Sequence, residues 1–265
     1  MIKILLSSIL IFLLTACSTT TFLTSPTMID RSDSIIVIDA GHGGHDSGAQ
    51  CNGEQEKDIV LQITDRVRNA FESEGYNVHM TRSHDEFLTL GERTRIADKL
   101  NAKVFISIHA NAIAKSKRSR FEEVEGIETY FLQKTRDAKS QRIAARENAS
   151  VLEGTDSLSK KVIIDAVLNG PKIIESNKLA IDVQREMVNR VRAGYEDVKN
   201  GGVRPAPFYV LVGASRPSVL VEVGYVTNSK ERERLLSSNY QEYIAQGIVA
   251  GTTRYIDNRK KELGF

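Results

Sequence analysis

The stretch Ile35-Ile36-Val37-Ile38-Asp39-Ala40-Gly41-His42-Gly43-Gly44-His45-Asp46-Ser47-Gly48 constrains this chain more than any other. Four consecutive β-branched residues suit a strand buried on both faces. The run stops at a glycine-rich turn where side-chain bulk is absent and φ > 0 is allowed. A strand ending this way delivers an imidazole to one edge of a sheet, beyond the strand carboxyl ends where α/β sites gather. A plain strand with a flexible turn has the same glycines, so the rest of the chain must decide.

Two further runs repeat the pattern. Val104-Phe105-Ile106-Ser107-Ile108-His109-Ala110-Asn111 is a second buried strand with a histidine at its end. Pro217-Ser218-Val219-Leu220-Val221-Glu222-Val223-Gly224 is a third, with a glutamate inside an apolar run. Burying a carboxylate without a partner is costly.

Between these runs, Ile59, Val60, Ile63, Val67, Ala70 and Phe71 recur at helical spacing and predict a helix over about 56–73. Shorter signals predict a strand at 76–81, a helix at 90–100, and strands at 126–132 and 208–212. Residues 133–207 form a long connection. Its first part is polar with scattered apolar pairs; its second places Ala180, Val183, Met187 and Val191 on one helical stripe. A last helix over about 230–255 carries Leu235, Leu236, Tyr240, Tyr243, Ile244, Ile248 and Val249. The alternation predicts a single α/β domain: a mixed, mostly parallel sheet covered by helices on both faces.

The strand ends collect His42, His109 and Glu222, with Glu54, Glu56 and Asp58 opening the first helix. Two histidines, one carboxylate and a water make a catalytic zinc site. A His-Glu-x-x-His helix is absent, so the ligands come from separate elements, and spacing leaves open which carboxylate binds. Cys51 has no clear base, and Ser107 lacks a nucleophile elbow. With 36 basic and 34 acidic residues, the chain shows no clustered basic footprint, and no nucleic-acid partner is expected.

The amino terminus reads as targeting. Lys3 precedes an apolar run, Ile4 to Leu14, too short for a comfortable membrane span. Leu14-Thr15-Ala16-Cys17 resembles the bacterial lipobox. Residues 1–16 are therefore expected to be a lipoprotein signal peptide, with Cys17 lipidated and anchoring the chain to a membrane surface. Ser18 in place of aspartate resembles outer-membrane sorting in Gram-negative bacteria. Residues 17–34 read as a Ser/Thr-rich tether and 35–257 as the catalytic domain. Cys51 alone then remains, which precludes an internal disulfide.

Taken in order, Ile38-Asp-Ala-Gly-His-Gly-Gly, Glu56-Lys57-Asp58, Thr81-Arg82 with Asp85, Leu90-Gly-Glu-Arg-Thr-Arg, Ser107-Ile-His-Ala-Asn-Ala112 and Leu220-Val-Glu-Val-Gly with Asn228 resemble the zinc-dependent N-acetylmuramoyl-L-alanine amidases of the amidase-3 type. The resemblance implies one Zn2+ held by His42, Glu56 and His109, with Glu222 as the catalytic carboxylate. It implies hydrolysis of the amide between N-acetylmuramic acid and L-alanine in peptidoglycan, during wall remodelling and daughter-cell separation in the periplasm. His45 is then a loop residue, His79 and His84 strand and surface residues, and Asp39 a residue that orients a ligand histidine. The 133–192 segment, Ala144-Ala-Arg-Glu-Asn-Ala149 above all, resembles a helical regulatory insertion of Gram-negative members. Glu147, with Glu153 behind it, is the expected autoinhibitory residue, displaced by a protein activator. The competing readings are a zinc peptidase or carboxypeptidase on wall peptides, and a non-catalytic wall-binding lipoprotein. Intact His42, Glu56, His109 and Glu222 argue against the latter.

Overall fold

Strand β1 (Arg31–Ala40) lies next to the middle of a sheet in a computed structural model that describes residues 31–149 and 171–264. The signal peptide, Cys17 and Glu153 lie outside the described residues. The other elements are β2 (Gln50–Cys51), β3 (Glu54–Gln55), α1 (Glu56–Ser73), β4 (Tyr76–Met80), α2 (Leu90–Lys99), β5 (Val104–Asn111), β6 (Ile127–Leu132), α3 (Ala138–Glu147), α4 (Pro171–Arg192), β7 (Asn200–Ala206), β8 (Ser218–Tyr225), α5 (Ser229–Leu236) and α6 (Ser238–Glu262). Six strands form one sheet in the order β4-β1-β5-β8-β6-β7. All neighbours are parallel except β6 and β8. This is the mixed, mostly parallel sheet that the strand–helix alternation predicts.

Side-chain alternation along the strands assigns the two faces. Ile36, Ile38, Ile106, Ile108, Val219 and Val221 point one way and pack with α1, α4 and α6. Val37, Phe105, Tyr130 and Leu220 point the other way and pack with Ala97 of α2, Ile143 and Ala144 of α3, and Val210 and Leu211. Asp39, Ser107, His109 and Glu222 share the phase of this second set. His109 and Glu222 are partners in register across β5 and β8.

The structure corrects several sequence expectations. β1 starts at Arg31, inside the stretch read as tether, and Arg31 pairs with Glu74 and Asp257 at 3.5 and 3.3 Å. The 208–212 run is not a strand: Tyr209–Leu211 is a single 3-10 turn that buries Val210 and Leu211. The strand there is β7, whose sequence Asn-Gly-Gly-Val-Arg-Pro-Ala reads as loop. It sits at the sheet edge, where a proline costs no ladder hydrogen bond. The last helix breaks at Ser237, whose backbone is extended (φ −80°, ψ 125°).

The described parts of the 133–192 segment differ in place. α3 packs Ile143 and Ala144 on the second face, whereas α4 belongs to the body: Leu179, Ala180, Val183, Met187 and Val191 are fully buried. A Cβ on Gly247 of α6 would stand 2.4 Å from Met187 Cα, so the two helices meet at backbone distance.

Candidate active site

The turn that follows β1 is strained and must be held. His42 has φ 59°, a left-handed conformation that costs a non-glycine residue on the order of 1 kcal/mol or more. Two buried arginines grip the carbonyls around it. Arg82 donates from Nε to Ala40 O (2.9 Å) and from Nη2 to Gly41 O (2.8 Å). Arg93 donates from Nη1 to Ala40 O (2.7 Å) and from Nη2 to His42 O (2.7 Å). Arg93 is itself paired with Asp39 at 2.9 Å.

His42 then has one ring nitrogen fixed and one free to point inward. Nδ1 lies 3.0 Å from Asp46 Oδ2, across a turn closed by reciprocal Gly43–Asp46 backbone bonds. A carboxylate behind an imidazole sets its tautomer and orientation. His109 arrives from β5 with its ring against Gly41, where a Cβ would come within 2.4 Å of Cε1. Only glycine fits beneath that ring. Glu56, the first residue of α1, is fully buried; it accepts Ala49 N–H at Oε2 (2.8 Å) and Ala110 N–H at Oε1 (2.9 Å).

A fourth group comes from α3. Glu147 Oε2 lies 3.1 Å from both His42 Nε2 and His109 Nδ1. Glu56 Oε1 lies 3.1 and 3.2 Å from the same two nitrogens. One atom from each of His42, Glu56, His109 and Glu147 lies within 4.8 Å of the others. The four nitrogen–oxygen separations of 3.1–3.2 Å suit donors set about 2.0 Å from one centre, the distance of zinc–nitrogen and zinc–oxygen bonds. His42 Nε2 and Glu147 Oε2 are buried without a well-directed hydrogen bond among the described residues, so they face a shared centre, not each other. Two imidazoles and two carboxylates fit a divalent metal ion.

Electrostatics agree with a site built for positive charge. Burial acts to lower the His42 pKa, yet Glu56, Asp46 and Glu147 outweigh it and hold the imidazole well above its ordinary range. Burial acts to raise Glu147, and Arg146 with the two histidines overrides it, leaving the carboxyl well below the usual range. Glu222 goes the other way: burial first, then the nearby Glu147 charge, push it well above that range. Both Glu222 oxygens lack a hydrogen bond among the described residues, and Arg146 Nη2 stands 3.7 Å from Oε1.

Of the residues anticipated from sequence, His42, Glu56 and His109 converge, with Glu222 beside His109 in register. Glu54 lines the adjoining cleft outside the cluster, as does Cys51. Asp58 is exposed. His45 stacks on Phe87 (centroids 4.1 Å apart); His79 lies on β4 and His84 at the surface. Asp39 touches no histidine. It accepts from Thr81 Oγ1 (2.5 Å), Ser107 Oγ (2.6 Å) and Arg93, and acts on the turn through Arg93. Asp46 orients His42 instead, and sequence reasoning passed it over although it follows His42 by four residues in the same turn. Arg82 and Arg93 stood in motifs that carried the resemblance, without an assigned role.

The Amidase_3 family model, described as N-acetylmuramoyl-L-alanine amidase, matches residues 36–254. N-acetylmuramoyl-L-alanine amidase AmiC of Neisseria meningitidis is 34% identical over 84% of this chain, which spans 53% of that relative. N-acetylmuramoyl-L-alanine amidase AmiC2 of Nostoc punctiforme superposes with TM-score 0.60 at 32% identity, covering 86% of this chain and 99% of the other. The CwlD amidase of Clostridioides difficile, solved in complex with the GerS lipoprotein, gives TM-score 0.62 at 28% identity over 85% and 99%. The chain belongs to the Amidase_3 family of N-acetylmuramoyl-L-alanine amidases, hydrolases that cut an amide bond in peptidoglycan.

Proposed function

We propose that this is a zinc-dependent peptidoglycan amidase held in a self-blocked state by α3. The observation that carries the reading is the convergence of four donor atoms on one centre, two of them buried without other well-directed partners. His42, Glu56 and His109 come from the body of the fold and are the lasting ligands; Glu147 comes from the inserted helix and is the removable one. His42, Glu56 and His109 would hold the zinc, which would supply Lewis acidity to a carbonyl and lower the pKa of water toward ~7.

The chain's own groups do the rest. Asp46 keeps Nε2 of His42 turned inward. Glu56 is held by two backbone N–H groups, so its free lone pairs keep one direction. Glu222 takes the proton from the attacking water and returns it to the departing L-alanine amine, as a general base and then a general acid. In the closed state this carboxylate is covered by Arg146, while Glu147 takes the place the substrate carbonyl needs.

A role in separating daughter cells, release of α3 by a protein activator, and attachment to the outer membrane through lipidated Cys17 complete the reading. Support for the anchor is the sequence Leu14-Thr15-Ala16-Cys17. The deciding experiment is product analysis on purified peptidoglycan. Chelator-sensitive release of stem peptides with a free L-alanine amino terminus supports the amidase reading. Cleavage within the peptide identifies a peptidase, and no release from the metal-loaded, α3-opened chain identifies a wall-binding protein.

A further inference from the structure

The cleft beside the four-donor cluster is charged asymmetrically, and its cations have no assigned work. A cavity of about 1250 Å3 is lined by His42, Ala112, Ile113 and Arg232 of α5. Lys115 and Arg118, on the 3-10 turn Lys115–Arg120, line it as well. That turn reads Lys-Ser-Lys-Arg-Ser-Arg, without an acidic residue. Arg232 faces the cavity beyond Cys51; its Nη1 is steadied by Val226 O at 3.0 Å and Cys51 Sγ at 3.4 Å.

The carboxylates of the same cavity are mostly engaged elsewhere. Asp46 and Glu147 serve the histidines, and Glu122 accepts from Ser229 N and Oγ. Glu54 is the remaining acid of the cavity lining. Among the described residues no carboxylate lies within ion-pair distance of Lys115, Arg118 or Arg232, whereas the neighbouring Arg120 pairs with Glu123 at 2.9 Å. Three cations lining one cleft, without an ion-paired carboxylate among the described residues, describe a place for an anionic ligand. Arginine is suited to take a carboxylate through two parallel N–H bonds.

We propose that Arg232, Arg118 and Lys115 form an acidic-peptide subsite that holds a carboxylate of the peptide on the amine side of the scissile amide. The inference rests on the amidase reading, because that reaction places a peptide in this cleft. The α-carboxylate of a γ-linked D-glutamate, one residue beyond L-alanine, is the group chemically suited to it. Arg232 is the central residue because its guanidinium is already fixed at one nitrogen and loses little freedom on binding.

The test is equilibrium binding of two soluble muramoyl peptides by the full chain carrying Glu147→Ala, to open the cleft, and Glu222→Gln, to stop their cleavage. One has the sequence L-alanyl-γ-D-glutamate; the other bears a carboxamide in place of the α-carboxylate. The chain is expected to bind the carboxylate form about tenfold more tightly, with the preference shrinking as salt rises. Adding Arg232→Gln and Arg118→Gln should abolish the preference and leave affinity for the carboxamide unchanged, and Arg232→Lys should restore part of it. No preference before those changes, including no binding of either peptide, overturns the subsite, as does a preference that survives both. Release of the free amine from purified peptidoglycan by the chain carrying Glu147→Ala alone reports on the amidase reading separately. Release without preference removes the subsite and leaves the amidase; preference without release overturns the placement of the subsite beside a scissile amide.

Discussion

Arg146 Nη2 lies 3.7 Å from Glu222 Oε1, while the next residue, Glu147, sits 3.1 Å from both ring nitrogens of the histidine pair. Two adjacent residues of one helix thus cover Glu222 and the histidine pair together. Arg146 is secured by donating from Nη1 to Ala112 O (2.6 Å) and Asn111 Oδ1 (3.1 Å). At the other end of α3, Lys139 reaches the buried carboxylate of Glu128.

Opening this plug should raise activity. Glu147→Ala is expected to increase basal release of dye-labelled peptidoglycan by ~10-fold or more, equivalent to shifting the closed state by about 1.4 kcal/mol or more. Arg146→Ala should act in the same direction. Unchanged activity in a variant with an intact melting transition would remove the autoinhibitory role of α3.

The body residues should respond oppositely. Glu222→Gln should retain metal by elemental analysis yet lose turnover by ~10²–10⁴-fold, the range of general acid–base catalysis. His42→Ala and His109→Ala should lose both metal and turnover. Gly41→Ala, remote in sequence from His109, should also weaken metal binding, because the new Cβ would overlap the His109 ring. Full occupancy in the histidine variants would refute the ligand assignment.

Asp39 and Arg93 form a buried pair at 2.9 Å with 0% and 2% side-chain exposure. Removing either partner strands the other charge, which costs about 3–5 kcal/mol. Arg93→Ala should therefore lower the urea midpoint sharply and, by releasing His42 O, also weaken metal binding. Asp39→Ala should destabilise similarly. A loss below about 1 kcal/mol in both would show that water reaches the pair.

Glu231, which is outside the four-donor cluster, supplies a pH dependence of its own. Burial, only partly offset by N–H bonds from Tyr225 and Gly126, pushes its carboxyl up to about 7. Between its unfolded value near 4.5 and that level, the native state holds a proton that the unfolded chain has lost. Stability from this residue is fully present below about pH 4.5 and falls as pH rises through 7, by on the order of 3 kcal/mol. The urea midpoint measured from pH 5 to 8 should fall accordingly. Glu231→Gln should flatten that slope; an unchanged slope would assign it to another group.

Several features were legible because their physics is local. A β-branched run that ends in glycine reads as a buried strand with an open turn whatever lies around it. The phase of Ile59, Ile63 and Val67 marks the buried side of α1 in the same way. The 208–212 and 200–206 segments were misread because strand propensity there yields to position: apolar residues fill a buried 3-10 turn, while a Gly-Pro segment takes the sheet edge.

The sequence by itself determined the donor types and the strand ends that present His42, His109 and Glu222; that His109 and Glu222 share a face came from the register of β5 and β8. Spacing left open which carboxylates complete the cluster; the family resemblance pointed to Glu56 and Glu147, and the tertiary structure brings both to the histidines. Glu54 and Glu56 are two residues apart, yet only Glu56 meets the histidines, because α1 begins there and Ala49 and Ala110 N–H hold it in place. Asp46, not Asp39, aligns His42, and Glu147 enters from a helix 105 residues beyond it. Spacing along a chain says nothing about such meetings, since they depend on how separate elements cross at the end of the sheet.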